Sequence, residues 1–207
     1  MMAENKKGLL IVFEGTDGTG KSTQLKLLAS ALQDKGLPVI STREPTEGKY
    51  GQEIRALYSN RNKVSLEEEL DLFIADRKEH IDTLLAPALA SGKIILCDRY
   101  YLSTIAYQGA AGLDPAHILA RNAFAPTPAL VLLFHAPVQT GVKRITENRG
   151  EALNDFEHEE YLQKVALNFE QMDFPWIKRV DADRSIGTIH QEVLQLVQAL
   201  LRRNETE

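Results

Sequence analysis

The sequence predicts an α/β fold in which helices cover both faces of a five-stranded parallel sheet, giving three layers, α/β/α. Short segments of continuously apolar residues recur along the chain, and this pattern is typical of parallel strands that are buried on both faces. Segments with apolar residues at helical spacing lie between them, which favours strands alternating with helices. The 207 residues have the length of one domain, and we expect residues 1–207 to form one.

The strands are predicted from the apolar segments themselves. The four clearest segments are residues 9–13, 39–41, 94–97 and 130–134, and a weaker fifth is residues 177–180. Apolar residues that are continuous and do not alternate with polar ones suggest strands covered on both faces, as in a parallel sheet.

Capping signals predict where several helices begin and end. Ser65 and Glu68 form a capping-box pattern ahead of a long helical periodicity, and Pro87 is expected to kink or end that helix. Asp114 followed by Pro115 predicts the start of a further helix, with an N-cap and a first-turn proline.

Composition narrows the function classes. A net charge of -5 disfavours non-specific binding to nucleic acid, which depends on neutralising phosphates, so we expect no nucleic-acid partner. Cys97 is the only cysteine, which excludes a disulfide within the chain. Near the N-terminus, only five consecutive residues (9–13) are strongly apolar, too few for a signal peptide or a membrane span, and we expect a cytoplasmic protein without a membrane partner.

The stretch "FEGTDGTGKSTQ" follows the first predicted strand and opens an amphipathic helix. It matches the phosphate-loop pattern G-x-x-x-x-G-K-[ST], in which small residues let backbone N–H groups surround a phosphate. Lysine at this position reaches the terminal phosphates, and the hydroxyl after it is a ligand for Mg²⁺. The motif predicts binding of ATP or GTP by Gly15, Thr16, Asp17, Gly18, Thr19, Gly20, Lys21, Ser22 and Thr23.

Further polar residues follow the other predicted strands. Arg43 follows the second strand, and Asp98 and Arg99 follow the third. Because ligands of open α/β sheets bind at the carboxyl ends of the strands, we expect these side chains to lie near the loop, with Asp98 and Ser22 at a Mg²⁺ site. Arg77 adds a third guanidinium group. A triphosphate alone needs fewer arginines, so the surplus indicates a second phosphorylated ligand, as in a nucleoside monophosphate kinase.

With these motifs the sequence resembles the thymidylate kinase family, whose members have a P-loop kinase fold and phosphorylate dTMP with ATP. The resemblance extends over nearly the whole chain. It is carried by "FEGTDGTGKSTQ", "TREPTEGKYGQEIRAL", "LFIADRKEHI", "APALASGKIILCDRYYLSTIAYQGA" and "GVKRI". The segment "DRYYLSTIAYQG" is the most specific of these.

The resemblance implies roles for individual side chains. Phe73 would stack on thymine, Arg77 would bind the base edge, and Asp17 would contact the sugar 3′-hydroxyl and the Mg²⁺ shell. Tyr107 would crowd the 2′ position and so favour deoxyribose. The implied dTMP-binding set is Asp17, Arg43, Phe73, Arg77, Arg99, Ser103, Thr104, Tyr107 and Gln108.

The resemblance also implies a homodimer and a lid that closes over ATP, here at about residues 144–160. Gly18 stands where some members of the family carry an arginine, and such an arginine is often replaced by arginines in the lid. We therefore expect Arg149 to stabilise the transferring phosphoryl group, and the predicted catalytic set is Lys21, Arg99, Asp17 and Arg149.

Other functions remain open from the residues alone. A kinase for another nucleotide or nucleoside would share the loop, and a nucleotide-binding protein with weak or no turnover would share the whole site. A GTPase switch is disfavoured, because no N/T-K-x-D-type guanine motif follows a later strand.

Overall fold

The computed structural model describes residues 7–58, 63–149 and 158–204, without the side chains of residues 148 and 149. Five parallel strands form one sheet in the order β2-β3-β1-β4-β5. Their bounds are β1 Leu9–Gly15, β2 Val39–Arg43, β3 Ile94–Asp98, β4 Leu130–His135 and β5 Ile177–Asp181. All five predicted strands are confirmed, and each extends beyond its apolar segment at the carboxyl end.

Helices connect and cover these strands. Their bounds are α1 Lys21–Gln33, α2 Lys49–Ala56, α3 Leu66–His80, α4 Ala86–Ala90, α5 Tyr101–Ala110, α6 Pro115–Arg121, α7 Val138–Arg149, α8 Glu159–Glu170 and α9 Ile186–Asn204. The predicted capping box is present: the Ser65 hydroxyl accepts from the backbone N–H of Glu68, and the Glu68 carboxylate accepts from the backbone N–H of Ser65. The Asp114 carboxylate likewise caps α6 by accepting from the backbone N–H of Ala116.

The two faces of the sheet bury different residues of the same strands. In β1, Ile11 and Phe13 pack on one face with apolar residues of α1 and α9. Leu10 and Val12 pack on the other face with residues of α3, α5 and α8. This alternation confirms the three-layer α/β/α arrangement, because side chains of successive strand residues point to opposite faces.

The long helix before β3 is interrupted as its proline predicts. Regular α-helix ends at His80, a π-helical turn follows at Ile81–Leu85, and α4 carries Pro87 in its first turn. Pro87 has no N–H to donate to the carbonyl of Thr83, and its ring would press on that group in a regular α-helix. The wider π turn accommodates this clash.

The parallel register brings the carboxyl ends of the central strands to one edge of the sheet. Asp98 of β3 pairs in register with Phe13 of β1 and with Arg43 of β2. Residues that follow these strands therefore meet at the edge where α1 begins.

Two predictions fall partly outside this description. Residues 150–157, the centre of the predicted lid, lie outside the described residues, and the lid and the single-domain boundary 1–207 stay predictions.

In the part of the chain that the structure describes, no helix is long and apolar enough to cross a membrane.

Candidate active site

A cavity of about 880 Å³ opens at the carboxyl edge of the sheet. This volume lies within the range of small-molecule sites. Sixteen of the residues predicted for the site line it: Asp17, Gly18, Thr19, Gly20, Lys21, Ser22, Thr23, Arg43, Phe73, Arg77, Asp98, Arg99, Ser103, Thr104, Tyr107 and Gln108. The sequence-predicted phosphate and acceptor residues thus face one continuous space.

Close backbone contacts explain two glycines of the loop. Gly15 has φ 132°, and a Cβ there would lie 2.1 Å from the carbonyl oxygen of Phe134. Gly18 has φ 77°, and its Cβ would lie 2.2 Å from the carbonyl oxygen of Gly141 in α7. Both positions combine a left-handed backbone with contact against backbone atoms, which only glycine tolerates.

Lys21 lies buried at the base of the loop. Its ammonium group donates to the carbonyl oxygen of Thr16 at 2.7 Å, and the Thr19 hydroxyl donates to the same oxygen at 2.8 Å. Burial, followed by the nearby Arg99 guanidinium, lowers the pKa of Lys21 to about 8. A phosphate anion beside Lys21 would favour its charged form. Gly15 and Thr16 form the floor of the loop and do not line the cavity.

Ser22 and Asp98, the two residues predicted to bind a cation, are in direct contact. The Ser22 hydroxyl donates to Oδ2 of Asp98 at 2.5 Å, and Oδ1 of Asp98 is buried with no hydrogen-bond partner among the described residues. Hard oxygen donors suit Mg²⁺, which commonly takes one or two protein ligands and completes its shell with water and substrate phosphates. The described residues hold no group of three or more metal-binding side chains, so the pair fits that mode and not an all-protein cage.

Arg99 connects the third strand to the phosphate loop. Its φ of 70° is unusual for a non-glycine residue, and its backbone N–H donates to the carbonyl oxygen of Phe13 at 2.9 Å. The guanidinium group donates to Oδ1 of Asp17 at 2.6 Å and to the Ser103 hydroxyl at 2.9 Å. The Tyr107 hydroxyl donates to Oδ2 of Asp17 at 2.6 Å.

These contacts set the charge of Asp17. Burial alone would raise the pKa of its carboxyl group, but the cations of Arg99 and Lys21 and the hydrogen bonds from Tyr107 and Arg99 outweigh it and lower the pKa to about 2. Asp17 is therefore an anion at neutral pH, held as an acceptor at the mouth of the loop.

Glu14 is a buried acid beneath this cluster that the sequence reasoning missed. Its carboxylate accepts from the backbone N–H groups of Tyr100 and Ser103 at 2.9 and 3.1 Å, and from the Ser103 hydroxyl at 2.5 Å. Burial raises the pKa of Glu14 to about 7 despite these bonds and the nearby Arg99. A glutamate inside a strand whose other residues are apolar was the signal available in the sequence.

Arg77 is held at the far end of the cavity by a buried network. Its Nε and Nη2 atoms donate to Oε2 of Glu44 at 2.9 and 2.7 Å, Nη2 also donates to the Thr104 hydroxyl at 3.0 Å, and Nη1 donates to Oδ1 of Asn122 at 2.5 Å. The guanidinium carbon lies 5.3 Å from the centre of the Tyr100 ring. Asn122 was also missed, since nothing near it in the sequence marks it as a partner of Arg77.

Gln108, Phe73 and Arg43 complete the predicted set. Gln108 is fully buried, and its amide nitrogen donates to Oε1 of Glu69 at 2.8 Å. Phe73 is half-buried at the cavity wall. The Arg43 side chain is 63% exposed and donates to Glu47. Among the described residues, no hydrogen bond joins it to Arg99 or Asp17.

Residues of α7, of the segment after β5 and of the first turn of α9 also line the cavity. They are Arg144, Ile145, Ala182, Arg184, Ser185, Ile186 and Ile189. Nη1 of Arg144 donates to the carbonyl oxygen of Ala182 at 3.0 Å, which ties the two segments together. Arg149 is the last residue of α7, and its side chain lies outside the described residues.

One cavity is lined by both a phosphate-loop motif and several arginines. This is the arrangement of a P-loop nucleoside monophosphate kinase. The family model described as "Thymidylate kinase" matches residues 13–193. The chain belongs to the thymidylate kinase family.

Three relatives, each named thymidylate kinase, show how far the likeness extends. The protein of Desulfotalea psychrophila is 56% identical over 198 residues, which cover 96% of this chain and 98% of the relative. That of Akkermansia muciniphila is 48% identical over 86% of this chain and 85% of its own length. That of Xanthomonas euvesicatoria is 43% identical over 94% of this chain and 85% of its own length.

Proposed function

We propose that the protein transfers the γ-phosphoryl group of ATP to dTMP, giving dTDP and ADP. The observation that carries this proposal is Arg99, which lies between the phosphate loop and the acceptor pocket and contacts residues of both, Asp17 and Ser103. Its guanidinium fork suits the oxygens of an acceptor phosphate placed in line with ATP. The names of the relatives agree with this reaction.

The phosphate loop would hold the donor. Backbone N–H groups from Gly15 to Thr23 and the N-terminus of α1 would surround the phosphates of ATP, with Lys21 against the terminal ones. Ser22 and Asp98 would hold Mg²⁺, directly or through water. When bound, Mg²⁺ would neutralise charge that develops on the phosphates.

The acceptor pocket would bind and orient dTMP. Arg99 would hold its phosphate, and Arg43 would turn from Glu47 to join it. Asp17 would accept from the sugar 3′-hydroxyl, while Tyr107 crowds the 2′ position. The base would stack on Phe73, within a pocket edged by Arg77, Ser103, Thr104 and Gln108.

Phosphoryl transfer here needs alignment more than acid–base chemistry. The attacking oxygen of dTMP is already anionic, so no general base is required. We propose that the lid, at about residues 144–160, brings Arg149 to the transferring group and excludes water that would otherwise hydrolyse ATP. A single domain over residues 1–207, a homodimer and a cytoplasmic location stay predictions of the sequence.

A product assay tests this function. Purified protein is incubated with ATP, Mg²⁺ and one acceptor, either dTMP, dUMP, dCMP or thymidine, and the products are followed by chromatography. We expect dTDP to form with dTMP as the preferred acceptor. Preferred turnover of another acceptor would establish a different kinase, and binding of ATP and dTMP without any product would establish a nucleotide-binding protein without turnover.

A further inference from the structure

Gln108 lies in the wall of the cavity and carries one polar atom without a protein partner. The residue lines the cavity, and its amide oxygen Oε1 is buried with no hydrogen-bond partner among the described residues. A buried oxygen without a hydrogen-bond partner destabilises the free protein. A bound ligand that donates a hydrogen bond at this point would remove that penalty.

Glu69 determines which end of the Gln108 amide is left without a protein partner. Its Oε1 lies 2.8 Å from the amide nitrogen of Gln108, and Glu69 is itself buried at 1% exposure in α3. A carboxylate oxygen accepts hydrogen bonds, so Glu69 pairs with the amide NH₂ group, and the flipped amide would set two oxygens against each other. The atom of the Gln108 amide that is left for a ligand is therefore an acceptor, not a donor.

Arg77 offers the opposite polarity at the same pocket. It is a donor in every protonation state that proteins allow, and its position is fixed by Glu44, Thr104 and Asn122. A donor and an acceptor in the wall of one cavity match the edge of a thymine or uracil ring, where a carbonyl oxygen accepts and the ring N3–H donates. Cytosine carries the reverse pattern, an amino donor and an unprotonated N3 acceptor.

We propose that Glu69 is a specificity-determining positioning residue, which selects thymine and uracil over cytosine by fixing the orientation of the Gln108 amide. The proposal rests on the proposed binding of a pyrimidine nucleotide in this pocket. Glu69 acts through Gln108 and touches no reacting atom.

The test replaces Glu69 by its uncharged isostere. In Glu69→Gln, the new amide can accept or donate, so the Gln108 amide can turn and offer its NH₂ group to cytosine. The pair dUMP and dCMP is the sharpest probe, because the two nucleotides differ only along the base edge in question. We expect the ratio of dCMP to dUMP dissociation constants, measured by titration calorimetry, to fall by tenfold or more.

Matched variants separate this role from a merely structural one. Glu67→Gln changes an exposed carboxylate of the same helix, and its ratio should equal that of the wild type within twofold. In a Gln108→Ala background, Glu69→Gln should change the ratio no further, because the amide it orients is gone. If Glu69 had only a structural role, the substitution would weaken the binding of both nucleotides equally and leave the ratio of their dissociation constants unchanged.

The outcomes are distinct from those of the product assay. Binding ratios decide the role of Glu69 even if turnover fails, and turnover of dTMP by the wild type decides the proposed function. An unchanged ratio in Glu69→Gln overturns the proposal. If that variant does not fold, the Gln108→Ala variant decides, and a ratio equal to that of the wild type overturns it.

Discussion

Replacing Glu14 by glutamine should change how the stability of the protein depends on pH. Glu14 is fully buried beneath Ser103, and burial raises the pKa of its carboxyl group from 4.5 to about 7. The folded protein therefore holds this proton more tightly than the unfolded chain does. The stabilising effect is complete below pH 4.5 and is lost as the pH rises through about 7.

The magnitude follows from the two pKa values. Each pKa unit corresponds to about 1.4 kcal/mol, so the separation between 4.5 and about 7 is worth about 3 kcal/mol of stability, most of it lost between pH 5 and pH 8. Glutamine does not titrate and has the shape of the protonated acid. The free energy of unfolding of Glu14→Gln, minus that of the wild type, should therefore increase by about 2–3 kcal/mol from pH 5 to pH 8.

Urea denaturation of both proteins at pH 5, 6, 7 and 8 measures this difference. The loss of one acceptor for Tyr100 or Ser103 adds an offset, but that offset does not vary with pH and leaves the slope unaffected. Glu53→Gln, a change of a half-exposed carboxylate on α2, is the control and should shift the free energy of unfolding by less than about 0.5 kcal/mol.

Two results would refute the reasoning. A difference that is constant from pH 5 to pH 8 would mean that burial does not perturb Glu14. A difference that falls with rising pH would mean that the ionised carboxylate is the form stabilised by Ser103 and Arg99.

Arg99→Ala should lower kcat/KM for dTMP by about a thousandfold or more while changing the Kd of ATP little, because the guanidinium group is proposed to hold the acceptor phosphate, whereas the loop and Lys21 hold ATP. Steady-state kinetics and nucleotide titration measure both, and a near-normal kcat/KM would contradict the role. Ser65→Ala should lower the free energy of unfolding by about 1 kcal/mol, since it removes the cap of α3. Glu68→Gln should lose less, because an amide oxygen still accepts from Ser65, and equal losses in the two variants would contradict the capping account.

The fold could be predicted from the sequence because strands that are buried on both faces have continuously apolar sequences. Ile94 to Cys97 are apolar without interruption, and that pattern sufficed to locate β3. The strand nevertheless continues to Asp98, because backbone pairing with β1 and β2 does not require an apolar side chain. For the π-helical turn before Pro87, the sequence predicted only that the helix would kink or end. A shift of the hydrogen bonds by one residue cannot be recognised from the amino-acid composition.

The site was accessible where a residue belongs to a local motif or follows a strand. Lys21 and Arg99 meet those conditions, and both line the cavity. Glu14, Glu69 and Asn122 do not, because their importance lies in partners 89, 39 and 45 positions away. A single acidic residue in a strand or a helix forms no recognisable sequence motif. Only the fold brings it into contact with its partner.

The contact between Gly18 and Gly141 limits the routes by which this chain could evolve. An arginine at position 18 would force its Cβ into the backbone of α7, whatever rotamer the rest of the side chain took. The helix would have to move away first, and Gly141 itself has no space for a Cβ, which would lie 2.7 Å from the carbonyl oxygen of Asp17. A lineage that started from this sequence could therefore not gain an arginine at position 18 by one substitution without displacing α7 from the loop.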